Sequence, residues 1–208
     1  GRMAHRDPNM AQVPAVYSPY GKECRSCWHV PEGYKLVGVD ASGLELRMLA
    51  HYMDDESYTK EILTGDIHTA NQEAAGLPNR DSAKTFIYAF LYGAGDAKIG
   101  SIVGGSSITG KKLKNQFLRN TPALADLRAK TISEAESGFL TGLDGRKLRV
   151  RSTHAALNTL LQGAGAVVMK QAVVILHDLL DRVDFKLVAQ VHDEWQIECR
   201  PDEADFIG

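Results

Sequence analysis

The 208-residue sequence predicts a mixed α/β chain of the α+β kind: a small antiparallel sheet beside a larger helical block. Three observations carry this prediction. A short apolar strand (Leu36, Val37, Val39) stands toward one end and period-two alternation at 185–200 toward the other, the latter as half-buried strands require. Between them lie segments of helical periodicity, several opened by a capping residue. A D-G pair in "GLDGRKLRVR" (Gly142 to Arg151) marks a further hairpin.

The elements follow in order. "SPYGKECRSCWHVPEGY" reads as turns and short extended pieces. Leu36, Val37 and Val39 form a strand that Asp40 ends. Ser42 then caps a helix through Met53, with Glu45 in its first turn. Helices are expected at 57–64 and 66–75. Asn79 caps the next helix, which Gly93 and Gly95 terminate. Three more are expected at 96–103, 109–119 and 122–137, the last with Thr121 as cap and Pro122 in the first turn. A long helix runs from about Thr153 to Arg182. Phe185, Leu187, Ala189 and Val191 alternate with Lys186, Val188 and Gln190, and Trp195, Ile197 and Cys199 alternate with Gln196, Glu198 and Arg200. The break between these strands is His192-Asp193-Glu194. It lacks Gly, Asn and Pro, an unusual choice for a plain hairpin turn. At "DEADFIG" another helix begins. The chain starts without a Met and stops in that helix, as expected of an interior piece of a longer protein.

Charge is unevenly spread. The net charge is −2, yet residues 80–130 carry nine Lys and Arg against three Asp, while each flank carries −4. A basic segment inside an acidic chain is an electrostatic footprint for phosphates. "GKKLKNQFLRN" (Gly110 to Asn120) is its densest part. No apolar run is expected to approach a membrane span, and no signal peptide is visible. Cys24 and Cys27 form a single C-x-x-C near His29; without a second pair they read as reduced free thiols rather than a zinc site.

Two carboxylates stand at separate strand ends, Asp40 and Asp193. Brought side by side they would repel, unless a hard divalent cation sat between them. Magnesium suits such a place, because it is held by one or two carboxylates plus substrate phosphates. On the helix opened by Asn79, Arg80, Lys84 and Tyr88 recur at i, i+4 and i+8 and share one face. Two cations and a ring on one face could hold a triphosphate and stack a base. An ordinary solvated basic face is the alternative. Asn158 and Gln162, four apart in an apolar stripe, could reach nucleic acid or satisfy a buried polar network.

These segments resemble family A DNA polymerases. "DASGLELR" resembles motif A, "RDSAKTFIYAFLYG" motif B and "VHDE" motif C, in the same order and spacing. "GRMAHRDPNMAQVP", "GDIHTAN", "GLDGRKLRVRS" and "HAALNTLLQGAGA" extend the resemblance from Gly1 to about Arg200. The wording is most similar to replicative polymerases of short-tailed bacteriophages. His154 stands where many members have Arg.

The resemblance implies a polymerase palm with a small antiparallel sheet plus a helical fingers subdomain. The palm would comprise 1–56 and 139–208, the fingers 57–138. It implies template-directed addition of deoxynucleotides to a primer 3′ end, with two magnesium ions held by Asp40, Asp193 and the Ala41 carbonyl. One ion would lower the pKa of the primer hydroxyl; the other would neutralise the triphosphate and pyrophosphate. Arg80, Lys84 and His68 would bind phosphates, with Lys84 counted among the catalytic residues. Tyr88 would stack under the incoming base, Glu45 would crowd the sugar 2′ position, and Tyr92 would sit near the templating base. Arg2, Asn158, Gln162 and His192 would contact primer or template DNA. A thumb outside this sequence, and a processivity factor recruited there, are also implied, as is a phage protein working in the cytoplasm of an infected bacterium. The alternatives are a single-subunit RNA polymerase, which Glu45 opposes, and a non-catalytic nucleic-acid-binding fragment.

Overall fold

A computed structural model describes residues 1–208. The chain divides into two compact units, one of residues 1–44 and 165–208, the other of residues 45–164.

The first unit contains a short helix α1 (Gly21–Ser26), strand β1 (Lys35–Asp40), the sheet's other strands β4 (Phe185–Val191) and β5 (Glu194–Cys199), and a terminal turn of helix α10 (Ala204–Ile207). The sheet is antiparallel in the order β1-β5-β4. Strand β5 is central, and the apolar side chains Trp195, Ile197 and Cys199 of its alternating run are buried. The register places Asp40 opposite Glu194, and Val191 opposite Glu194 from the other side. Strand β4 is irregular between Leu187 and Ala189, at the Val188 that interrupts its polar positions. An extra residue there is what a β-bulge looks like. The expectation of turns and extended pieces around the cysteines is corrected: Gly21 to Ser26 form a helical turn. A Cβ on Gly21 would lie 1.9 Å from the Ala15 carbonyl oxygen, so the close fold-back needs glycine there.

The second unit is helical. It comprises most of α2 (Leu44–Met53), then α3 (Glu56–Thr64), α4 (Ile67–Ala75), α5 (Arg80–Leu91), α6 (Asp96–Ser101), α7 (Ser107–Asn120) and α8 (Pro122–Ala135), and the hairpin β2 (Phe139–Thr141) and β3 (Lys147–Arg149). Side-chain caps start three of these helices: Asp55, Asp66 and Asn79 each accept from a backbone N–H in the first turn, worth about 1 kcal/mol apiece. Two caps read from sequence are corrected. Helix α2 starts at Leu44, after a turn in which Gly43 has φ +62°, rather than on Ser42. Thr121 precedes α8 but makes no side-chain capping bond.

The core of this unit centres on aromatic stacking. Phe117 of α7 meets Phe86 and Phe90 of α5 edge-on at 5.2 and 5.4 Å between ring centroids. Leu49, Ile87, Ile99, Leu124, Leu140 and Leu161 are fully buried beside them, as is the polar Asn71. Helices α6 and α7 press together at glycine: a Cβ on Gly110 would meet the Asp96 carbonyl oxygen at 1.9 Å.

The long helix α9 (Ala156–Leu179) passes from the second unit into the first. It is shorter than expected, because Thr153 to Ala155 form a 3-10 turn and the helix ends at Leu179. It also corrects the expectation about apolar runs. Over Thr153–Leu179 the helical segment is long and apolar enough to cross a membrane by length and composition, with mean hydropathy 1.5. Core helices of globular proteins meet the same measure.

Candidate active site

The strand ends of the first unit bring two distant carboxylates together. Asp40 closes β1 and Asp193 lies in the turn between β4 and β5. The Ala41 N–H donates to the Asp193 carbonyl oxygen at 2.9 Å. Asp193 raises the Asp40 pKa by repulsion; the larger cause of the same upward shift is desolvation by the surrounding protein. Residues more than 150 positions apart in sequence thus act on each other's charge.

The turn answers the puzzle of its composition. It has two residues, His192 and Asp193, and His192 takes φ +61°. Two-residue hairpins need a left-handed residue, and His is enriched in that region among side chains other than Asn and Asp. The placement costs roughly 1 kcal/mol relative to glycine. It sets an imidazole and a carboxylate at the tip, where glycine would supply neither. Glu194 begins β5 and hydrogen-bonds Gln196.

Arg2 and His192 share one place. With Lys170 of α9 and Gln190 of β4 they line a small cleft. The N-terminal segment is held there by His5, whose Nε2 donates to the Gln190 carbonyl oxygen at 2.6 Å. Lys170 was not singled out from sequence. It lies among apolar residues with no motif around it, so nothing marked it.

In the second unit, α5 presents the expected face. Arg80 and Lys84 are exposed and Tyr88 half-buried, while Ala83, Phe86, Ile87, Phe90 and Leu91 are buried. The Tyr88 ring lies between His68 of α4 and Tyr92, each at 6.4 Å between centroids. Tyr92 donates its hydroxyl to Glu45 at 3.1 Å. His68, Glu45, Lys84, Tyr88 and Tyr92 therefore gather within one unit. Burial, and then the nearby Arg80 cation, push the His68 pKa down, so the imidazole is neutral at physiological pH.

Arg80 is already engaged. Its Nε and Nη2 donate to Asp66 at 2.6 and 3.1 Å, and the Asp66 carboxyl is held well below the usual range by this bond. Sequence reading missed Asp66. The signal was available, since Asp66 is the N-cap of α4 two residues before His68. Gly93 ends the motif segment with φ +76°, where a Cβ would meet the His154 carbonyl oxygen at 2.7 Å. Asn158 and Gln162 lie half-buried on α9. The structure contains no group of three or more His, Cys, Asp or Glu side chains suited to a metal ion; Asp40 and Asp193 are a pair.

Comparison with known proteins bears on the family and the fold. The family described as DNA polymerase family A matches residues 1–207. The chain is 49% identical to the DNA-directed DNA polymerase of Escherichia phage T7 over 237 residues, covering 98% of this chain and 34% of that protein. Identity to the DNA-directed DNA polymerase of Enterobacteria phage T3 is 48% with the same coverage. The thermostable DNA polymerase I of Thermus aquaticus is 29% identical over the whole chain and 28% of its own length. The chain thus spans about a third of the length of the phage relatives. Among solved structures, the POL domain of Pol1 from M. smegmatis, in complex with DNA primer-template and dNTP, shares the fold with a TM-score of 0.87 at 24% identity, over 100% of this chain and 41% of that one. The expected mixed fold is thereby found, and the chain belongs to DNA polymerase family A.

Proposed function

We propose that this chain carries the palm and fingers chemistry of a template-directed DNA polymerase, acting in phage DNA replication inside an infected bacterium. Residues 1–56 and 139–208 serve as palm, and 57–138 as fingers. The observation that supports this most is the pairing of Asp40 with Asp193 on adjacent strand ends, in a chain of this family. Two carboxylates that raise each other's energy fit a hard divalent cation, and the carbonyl of Ala41 adds a third oxygen. Asp40, Asp193 and Ala41 would hold two magnesium ions. Such ions supply activation of the primer hydroxyl and neutralisation of the transferring phosphoryl group.

The chain's own residues do the rest. Lys84 neutralises triphosphate charge, with His68 as a neutral donor. Arg80 joins them by exchanging Asp66 for phosphate, an exchange between two partners that suit a planar guanidinium. Tyr88 stacks under the incoming base. Glu45, tethered by Tyr92, crowds the sugar 2′ position and keeps ribonucleotides out; Tyr92 adjoins the templating base. Arg2, His192, Asn158 and Gln162 contact primer-template DNA. The test is incorporation of dNTP on primer-template DNA by Asp193→Asn. Incorporation is lost while DNA affinity stays. Retained incorporation would discard the assignment.

A further inference from the structure

The densest basic stretch is not used by this chemistry. In α7, Lys111, Lys112, Lys114 and Arg119 stand without a single Asp or Glu in fourteen residues. Lys114 pairs with Asp96 at 2.8 Å. Lys111, Lys112 and Arg119 are exposed and form no ion pair. Helices normally offset such charge with acidic partners three or four residues away, and Lys111 and Lys112 lie too far from the helix C-terminus to gain from its dipole. Asp96 also acts on Lys111 at longer range, which leaves Lys112 and Arg119 as the cations without an acidic neighbour.

These residues form one surface. Ile108, Lys111, Lys112, Asn115, Gln116 and Arg119 line a shallow groove of about 330 Å³. At about 100° per residue they centre on the direction opposite Phe117, and Phe117 packs on α5. The groove therefore faces away from α5, so it is separate from the Arg80, Lys84 and Tyr88 face. From Ile108 to Arg119 it extends about 16 Å.

We propose that the outward face of α7 binds the phosphate backbone of a single-stranded nucleic acid. Three exposed cations meet phosphates. Asn115, which is exposed, offers a donor and an acceptor to unstacked bases, and Ile108, 81% exposed, offers them an apolar contact. No aromatic side chain lies on the face, so the binding is sequence-tolerant and steeply dependent on salt. That the strand is unpaired template rests on the polymerase reading; the surface itself does not.

The experiment measures binding of this chain to a labelled oligodeoxythymidylate across a salt series, without nucleotide or magnesium. The triple variant K111Q/K112Q/R119Q is compared with K60Q/R128Q/K130Q, which removes the same charge from α3 and α8. The α7 variant is expected to lose about tenfold or more in affinity, and its slope of log affinity against log salt to fall by about two, as expected for three lost phosphate contacts. The control variant keeps the parent's slope. Equal loss in both variants would reduce the effect to net charge and overturn the proposal. So would no binding by the parent, or a loss in the α7 variant that is as large on duplex DNA or on polyglutamate as on the single strand. Because neither metal nor nucleotide is present, failure of the polymerase reading would leave this result unchanged.

Discussion

The sheet edge at Asp40 and Asp193 and the outward face of α5 treat charge in opposite ways. At the edge, like charges are forced together, and the Asp40 pKa rises through desolvation and the Asp193 charge. On the helix and its neighbour α4, opposite charges are joined, and Asp66 is held low by Arg80. The first arrangement raises the energy of the chain, a cost that a bound cation would relieve. The second lowers it, and must be undone before Arg80 can hold anything else. The backbone explains why each is possible. The backbones of Asp40 and Asp193 are brought together by strand register, by the Ala41 N–H bond to the Asp193 carbonyl and by a His192 in left-handed conformation. The Arg80–Asp66 pair joins two exposed, flexible side chains and exchanges partners readily.

Four substitutions sharpen or break this contrast, from the largest effect down. Asp40→Ala removes half of the imposed pair, and dNTP incorporation should fall by at least about 10³-fold, the scale of losing a central electrostatic group; a loss under tenfold would mean the pair is not the reacting centre. Lys84→Ala should weaken nucleotide use by about 10²-fold, and Arg128→Ala, on α8, hardly at all. Equal effects would mean only summed charge matters. Tyr88→Phe removes one hydroxyl, which the proposed nucleotide site sets near the sugar. With Tyr present, dideoxynucleotides should be accepted readily, and the Phe variant should raise the deoxy-over-dideoxy efficiency ratio by one to two decades, the scale of a buried unpaired polar group at about 1–3 kcal/mol. An unchanged ratio would mean Tyr88 does not face the sugar. The smallest effect is Asp66→Asn. Asn keeps the cap of α4 but releases Arg80, so the Km for dNTP should drop by about threefold at low salt, on the order of an exposed ion pair. A raised Km would show that Asp66 orients Arg80 rather than competing for it.

The two regions were also unequally legible. The α5 face could be read from spacing alone, because a helix fixes which residues are neighbours. Its partners could be read less well: Asp66 reaches Arg80 across a loop, and no periodicity reports contacts between helices. The pairing of Asp40 with Asp193 is set by strand order, β1 beside β5, which a single sequence does not encode locally; the motif resemblance supplied it. The helical turn at Cys24 was unreadable for a different reason. Six residues carry too little periodicity, and its geometry depends on Gly21 meeting the Ala15 carbonyl. Thr121 stands at the N-cap of α8 as read, without a capping bond from its side chain, whereas α2 starts at Leu44, one residue later than a cap at Ser42 requires.

The central claim is that the imposed carboxylate pair is a cation site. The most direct measurement is binding of Mn²⁺, as a paramagnetic substitute for Mg²⁺, to this chain by electron paramagnetic resonance in the presence of dNTP. The parent should immobilise manganese in a dNTP-dependent way, Asp193→Asn should lose most of that bound signal, and Glu194→Gln should retain it. Equal manganese binding by the parent and Asp193→Asn would contradict the account.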